Sequence, residues 1–204
     1  MGLIAMAQGK RVESLDFPSG HEIRLKYKPD DLTCPFCGGQ VFPRDRQGFI
    51  LHFVHRTDCT SSLGYHPESP EHLQGKMLLR NYLKHQLKRF SDVSVCLEYP
   101  IPNAGDHGRI ADVAAVFPFG WILVYECQIS PITHDEIKKR TEDYRNAGAD
   151  VIWSLGDRAS TPSVINYLTS TQGSVYYLNY DANSPRYRVS DIEGFDSEQD
   201  DIFE

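Results

Sequence analysis

Two acidic residues stand inside apolar runs near the middle of this 204-residue chain. Asp112 directly follows Arg109-Ile110-Ala111, and Glu126 closes the run from Trp121 to Tyr125. A carboxylate among buried apolar residues costs free energy unless it is paired or binds a cation. The two acids are therefore the strongest candidates for chemistry in the sequence.

A second motif lies nearer the N-terminus, where a Cys-x2-Cys turn is followed by two glycines that let the backbone fold round an ion. Its thiolates and two later side chains predict a tetrahedral, structural zinc site with these ligands: Cys34, Cys37, His55 and Cys59. His52 is the alternative imidazole. Because residues 52 and 55 point to opposite faces of an extended strand, only one is expected to bind, and we favour His55.

A helix is predicted from Pro70, with Ser69 as its N-cap, to about Phe90. Its buried stripe at helical spacing contains His72, Lys76, Leu79, Leu83, Leu87 and Phe90. Two interpretations of the polar end of that stripe are equally favoured. His72 and Lys76 are either a hydrogen-bonded histidine with a snorkelling lysine, or the rim of an active site.

A second helix opens with the capping box Thr133 to Glu136, runs to about Ala147, and presents Ile137, Arg140 and Tyr144 on one face. Strands are predicted over 93–102, the two acid-bearing runs, 151–155 and 175–180, with a short helix over 162–168. Residues 1–29 are predicted as short strands, with alternation over 21–27.

The turn Pro118-Phe119-Gly120 predicts that the acid-bearing strands are antiparallel neighbours. Asp112 and Glu126 lie seven residues to either side of Phe119, so we expect them at one level of adjacent strands. Such a pair suits Mg²⁺ or Mn²⁺, which lowers the pKa of a bound water and stabilises charge on a phosphoryl oxygen. Gln128, in phase with Glu126, can orient water or phosphate but carries no positive charge.

The order of helix, three strands, helix and strand predicts an α/β mixed sheet flanked by helices. Five cysteines, three of them in a His-containing segment, argue against a disulfide framework. No apolar run reaches membrane-spanning length and no secretory signal is evident, so we expect a cytoplasmic protein without a membrane partner.

The formal net charge of −7 is concentrated at the C-terminus. Residues 191–204 contain seven acids and no Lys or Arg, and the remaining chain has 21 acids against 21 bases. We expect this segment to be a disordered, solvated tail. The overall charge therefore does not exclude a DNA partner.

The spacing of Asp112 from Glu126-Cys127-Gln128 resembles the PD-(D/E)xK nuclease motif, with Gln where Lys is usual. A longer ordered set, over roughly residues 30–156, resembles the competence protein CoiA-like family. The set comprises Cys34-Pro35-Phe36-Cys37, His52-Phe53-Val54-His55, Ser69-Pro70-Glu71-His72 with Lys76, Arg109-Ile110-Ala111-Asp112-Val113, Glu126-Cys127-Gln128-Ile129-Ser130, Arg140 with Tyr144, and Val151-Ile152-Trp153.

The resemblance implies a restriction-endonuclease-like core with a zinc-ribbon-like N-terminal segment, and a Mg²⁺- or Mn²⁺-dependent endonuclease or exonuclease acting on DNA. It implies Asp112 and Glu126 as metal ligands, with Gln128 as the third motif residue. Further catalytic candidates on the first predicted helix are Glu71, His72 and Lys76. The candidate substrate-binding residues are Arg109, Arg140 and Tyr144. We hypothesise that Lys76 supplies the cation that Gln128 lacks.

Three regions are predicted: a zinc-binding β segment over 1–66, the nuclease-like domain over 67–190, and the acidic tail over 191–204. The expected function is DNA processing, recombination or defence, with a homodimer or a recombination or defence protein as open partners. A non-catalytic DNA-binding or protein-bridging module is the alternative. In a third interpretation, the two acids are only structural partners of Arg109 and Arg140.

Overall fold

The computed structural model describes residues 2–61, 68–180 and 189–193. The strands are β1 (Ile4–Ala7), β2 (Lys10–Glu13), β3 (Val41–Arg44), β4 (His52–His55), β5 (Ser94–Ile101), β6 (Arg109–Val116), β7 (Ile122–Gln128), β8 (Ala149–Leu155), β9 (Tyr176–Tyr180) and β10 (Val189–Glu193). The α-helices are α1 (Gly20–Lys26), α2 (Pro70–Gln86), α3 (His134–Asn146) and α4 (Pro162–Gln172).

The N-terminal segment, residues 2–61, contains two antiparallel strand pairs, β1 with β2 and β3 with β4. Two further pairs of backbone hydrogen bonds tie the start of the chain to the rest of the segment. Gly2 and Phe53 exchange bonds of 3.1 and 2.7 Å, and Met6 and Thr33 exchange bonds of 2.8 and 2.9 Å. A small core that includes Ile23 and Phe53 fills the segment.

The strand predicted over 21–27 is wrong, because these residues form most of α1. Ser19 caps the helix by accepting a hydrogen bond from the Glu22 backbone N–H. A strand would bury Ile23 and Leu25 on one face, yet only Ile23 is buried, while Leu25 is 69% exposed. The helix cap and the single buried contact therefore outweigh the short alternating pattern.

The central sheet has six strands in the order β10-β9-β8-β7-β6-β5. Strands β5, β6 and β7 form the predicted antiparallel meander, and β8 joins β7 in parallel after the crossover through α3. The β6–β7 turn closes at Gly120, whose φ of 88° suits glycine. The predicted fold class, a mixed sheet flanked by helices with a small N-terminal β segment, is confirmed.

Helices cover both faces of the sheet. Helix α2 packs Leu79 and Leu83 against residues such as Val113 and Tyr125, and Leu3 of the N-terminal segment joins this core. On the other face α3 packs Ile137 with residues including Val124, and α4 belongs to the same core. Helix α2 ends slightly before the predicted position and continues as a 3₁₀ turn, Leu87–Arg89.

The tail was predicted to begin at residue 191, but the structure continues as a strand beyond that position. Residues 191–193 belong to β10, which pairs antiparallel with β9 at the sheet edge. The remaining tail residues, 194–204, lie outside the described residues. Among the described helices, none combines the length and apolar character required to cross a membrane.

Candidate active site

Three acidic residues occupy matching positions on three neighbouring strands. The register of β5 against β6 places Glu98 opposite Asp112, and the register of β6 against β7, continued by one residue, places Glu126 opposite Asp112. All three are buried, with exposures of 4% for Glu98, 6% for Asp112 and 2% for Glu126. A row of carboxylates, Glu98–Asp112–Glu126, therefore crosses the sheet at one level.

Asp112 is held by groups on α2 and β7. His72 Nε2 lies 2.9 Å from its Oδ2, Lys76 Nζ lies 3.3 Å from its Oδ1, and the Cys127 backbone N–H donates to Oδ2 at 2.8 Å. Burial acts to raise the pKa of Asp112, but the charges of His72 and Lys76 and the hydrogen bonds to the carboxylate outweigh it. The pKa lies well below its usual value, so Asp112 is ionised.

Glu126 is held instead by α3. Its Oε2 forms an ion pair with Arg140, while its Oε1 accepts from the Tyr144 hydroxyl at 2.8 Å and from the Asp112 backbone N–H at 3.2 Å. Burial and the charge of Asp112 raise the pKa of Glu126. The charge of Arg140 acts to lower this pKa but does not outweigh them. The two acids that are adjacent across the strands thus take their cations from opposite helices.

Lys76 places a positive charge inside a group of three acids. Its ammonium forms an ion pair with Glu68 and lies 3.4 Å from Glu98 Oε1. The side chain is almost completely buried, with the residue 1% exposed. Burial acts to lower the pKa of Lys76, but the charges of Glu68, Glu98 and Asp112 raise it well above its ordinary value. Lys76 is therefore a fixed cation.

A cavity of about 590 Å³ opens over this site. Its floor carries the carboxylate row with Lys76 and Arg140, and its opposite side is formed by the N-terminal segment through residues such as Phe36 and His55. Both parts of the chain therefore contribute to a single cleft, with acids and cations on its floor.

Of the remaining predicted site residues, Gln128 and Arg109 line the cavity and Glu71 does not. Gln128 lines the cavity, where its Oε1 accepts from Arg140 Nη1 at 2.9 Å and its Nε2 donates to the Ser130 carbonyl at 2.7 Å. Arg109 also lines the cavity, but its Nε donates to Asp143 at 3.0 Å rather than to Asp112. Glu71 is buried and does not line the cavity.

The structure adds Glu68 and Glu98 to the site. The sequence offered a signal for Glu98, which is an acid inside a strand-like run just as Asp112 is. Glu68 lies four residues before His72, and its Oε1 is 3.7 Å from His72 Nδ1. The spacing of four residues between Glu68 and His72 could have indicated that the two side chains lie together. Glu68 was overlooked because it precedes the N-cap Ser69 and so lies outside the predicted helix.

The predicted thiolate and imidazole ligands come together in the N-terminal segment. One ligand atom from each of Cys34, Cys37, His55 and Cys59 lies within 4.8 Å of the others, so this Cys₃His group could hold a metal ion. His55 Nε2 is 3.4 Å from Cys37 Sγ. The alternative ligand His52 is turned away, with its Nδ1 2.7 Å from the Ile50 carbonyl.

The thiols of the Cys₃His group differ in their electrostatics. Burial raises the pKa of Cys34 to about 11. For Cys37 burial acts in the same direction, but hydrogen bonds from the Gly39 backbone N–H and from neighbouring groups lower the pKa overall. Burial lowers the pKa of His55, which favours the neutral imidazole that a metal requires.

A second group of side chains, beside the carboxylate row, could hold a metal ion. Glu68, His72 and Asp112 each offer a ligand atom, and these atoms lie within 4.8 Å of one another. Glu68 Oε2 is buried and, among the described residues, has no hydrogen-bond partner. Glu126 is not one of these three residues, and its oxygens contact Arg140 and Tyr144.

Comparison with known proteins gives three findings. The family model described as competence protein CoiA, nuclease-like domain, matches residues 68–193. Competence protein CoiA of Bacillus subtilis (strain 168) is 30% identical over 137 residues, which cover 67% of this chain and 34% of the relative. The chain thus spans about a third of the length of that curated relative.

A solved structure of Pyrococcus furiosus SfsA in complex with Ca²⁺ is similar over 69% of this chain and 70% of that chain, with 13% identity and a TM-score of 0.35.

Proposed function

This chain belongs to the family of the competence protein CoiA nuclease-like domain, and we propose that it is a PD-(D/E)xK-type nuclease that hydrolyses DNA phosphodiester bonds with a divalent metal ion. The observation that carries the proposal is the buried row Glu98–Asp112–Glu126 at the floor of a cleft. A binding module would gain nothing from burying three carboxylates beside one another. A catalyst needs such a cluster to hold a cation.

The proposed ligands of Mg²⁺ or Mn²⁺ are Asp112 and Glu126, with Glu68 and His72 as further donors from the neighbouring group. Such an ion, when bound, activates a water and stabilises negative charge on a phosphoryl oxygen. An imidazole donor favours Mn²⁺ over Mg²⁺.

Each neighbouring side chain has a positioning task in this proposal. Arg140 and Tyr144 hold the Glu126 carboxylate in one orientation through its two oxygens. Arg140 also orients the side chain of Gln128, a residue that lines the cleft and is suited to align the attacking water or the scissile phosphate. Arg109 is the candidate for phosphate contact at the rim.

Lys76 is proposed to supply the positive charge that Gln128 lacks. Its Nζ lies 3.3 Å from Asp112 Oδ1, so a cation from α2 stands beside the first motif acid. A fixed ammonium in a water-poor site stabilises charge that develops in the transition state. If Lys76→Ala cleaves DNA as fast as the wild type, this part of the proposal is wrong.

We further propose that the Cys₃His group binds Zn²⁺ as a structural ion. Three thiolates and one imidazole close the coordination sphere of zinc and leave no position for a substrate. The ion would stabilise a segment with a small core and two short strand pairs. On the basis of the family, we propose a cytoplasmic role in competence-like DNA processing or recombination, or in defence.

The test is incubation of the purified protein with single-stranded, duplex and branched DNA in Mg²⁺ and in Mn²⁺, beside Asp112→Ala/Glu126→Ala. We expect metal-dependent cleavage by the wild type and none by the double variant, with unchanged circular dichroism. The alternative, a non-catalytic DNA-binding module, is favoured by the engaged oxygens of Glu126. It predicts salt-sensitive binding that survives both substitutions and no cleavage with either metal.

A further inference from the structure

Glu98 has an unusual backbone conformation for its place in the fold. It lies in the middle of β5, opposite Asp112, yet its φ is 46°, in the left-handed region that non-glycine residues rarely adopt. The regular pairing of β5 with β6 skips this residue. Such a conformation is strained and persists only where surrounding contacts impose it.

Two contacts meet at one oxygen of Glu98. The Leu3 backbone N–H donates to Oε1 at 2.7 Å, and Lys76 Nζ lies 3.4 Å from the same oxygen. The fit to the N-terminal segment is close, because a Cβ added at Gly2 would lie 3.0 Å from Glu98 Oε2. One residue earlier on β5, the Leu97 carbonyl accepts a hydrogen bond from the Arg11 guanidinium of β2.

The Leu3 donor is itself fixed by the rest of the N-terminal segment. Gly2 is joined by two backbone hydrogen bonds to Phe53 of β4, the strand that ends at His55. Met6 is joined in the same way to Thr33, the residue before Cys34. The segment that carries the Cys₃His group thus places a backbone N–H against the acid that faces Lys76.

We propose that Glu98 is a positioning residue through which the N-terminal segment holds the Lys76 ammonium beside Asp112. Only the catalytic consequence of this inference rests on the proposed nuclease function; the coupling of Glu98 to Lys76 does not. Lys76 has three acidic neighbours, and Glu98 is the one that is anchored outside the nuclease-like core. Without it, Lys76 retains Glu68 and Asp112 but loses its tie to the N-terminal segment.

The decisive test is a double-mutant cycle on the cleavage rate with Glu98→Gln and Lys76→Met. Glutamine retains an acceptor for the Leu3 N–H but removes the negative charge. We expect Glu98→Gln to slow cleavage about 10- to 100-fold, the cost of a misplaced catalytic group. In the Lys76→Met background the same change should cost less than about 2-fold, because Glu98 acts through Lys76. Equal losses in both backgrounds would overturn the proposal.

Two further variants separate positioning from loss of fold. Glu98→Gly relieves the left-handed backbone and removes the carboxylate, so we expect a folded protein with a cleavage loss similar to that of Glu98→Gln. Gly2→Ala places a methyl group against the Glu98 carboxylate and should displace it. We expect the cleavage rate to fall a few-fold, and we expect no such fall in the Lys76→Met background. The charge control is Glu142→Gln on the exposed face of α3, which should cleave as the wild type does.

A cycle on urea unfolding keeps the inference testable if the wild-type protein cleaves no DNA. The shifts in urea midpoint for Glu98→Gln and Lys76→Met should not add in the double variant, since each removes the partner of the other. Additive shifts would show that Glu98 does not hold Lys76. Absence of cleavage together with non-additive shifts would instead reject the nuclease function and keep the contact.

Discussion

The Cys₃His group and the carboxylate row are assembled in opposite ways. All four residues of the Cys₃His group come from a single stretch of 26 residues, and its donors are soft thiolates with one imidazole. The carboxylate row draws its acids from three strands, β5, β6 and β7, and its cations from two helices, α2 and α3. We propose that the first group holds an ion permanently and that the second carries out chemistry at an ion.

The comparison shows two ways to make buried polar groups tolerable. In the N-terminal segment the four ligand atoms of the Cys₃His group lie close together and could share one metal ion, so a bound ion is expected to contribute directly to folding. At the carboxylate row each acid already has a protein cation: Lys76 and His72 face Asp112, and Arg140 faces Glu126. The row is therefore expected to keep its shape without metal and to lose only activity.

The largest expected effect is on the carboxylate row. Asp112→Asn keeps the shape of the side chain but removes a proposed metal ligand, and we expect the cleavage rate to fall about 10³-fold or more. The zinc content of the protein should not change. Cleavage assays and metal analysis on the same preparation check both expectations, with the exposed loop substitution Asp106→Asn as control. Loss of zinc from Asp112→Asn would mean that the two regions are not independent.

Removal of a proposed zinc ligand should change the stability of the protein more than any other expected effect does. Cys37→Ser is expected to release the ion and to lower the free energy of unfolding by about 4 kcal/mol or more, at the upper end for one substitution. Urea unfolding with and without added zinc measures the effect. Cys96→Ser, a cysteine of β5 outside the group, should cost no more than about 1.5 kcal/mol. Equal stability of the two variants would argue against a structural ion.

The distribution of positive charge in the site can be tested next. Lys76→Met should slow cleavage about 10²-fold, whereas Gln128→Ala, which removes no charge, should slow it about 10-fold at most. The measurement is the single-turnover cleavage rate of each variant and of the wild type at a saturating metal concentration. The reverse order would assign the third motif role to Gln128 and leave Lys76 as an ion-pair partner of the buried acids.

The smallest expected effect concerns the support of Glu126. Tyr144→Phe removes the hydrogen bond of 2.8 Å to Glu126 Oε1. We expect the free energy of unfolding to fall by about 1 kcal/mol, while Arg140 still holds the other oxygen. Tyr167→Phe on α4, where the ring lies against His134, is the matched control. A loss of stability as large as that of Cys37→Ser would contradict the view that the row is self-sufficient.

Local patterns predicted most of the elements that carry the site. Ser69 and Thr133 act as the N-caps that the sequence indicated, and the β6–β7 turn produces the expected antiparallel pair. These features depend on residues within a few positions of one another, where capping and turn geometry are decided. The failure at α1 is instructive for the same reason, because a period-two pattern over seven residues was too short to outweigh a helix cap.

The sequence by itself determined the spacing of the Cys₃His group and the level of Asp112 against Glu126, because strand geometry and short turns convert residue number directly into position. Only the tertiary structure decided which cation neutralises which acid, and that Glu98 and Glu68 join the site. Those contacts depend on how α2, α3 and the N-terminal segment pack on the sheet. Packing brings together residues whose separation along the chain carries no information about their distance in space.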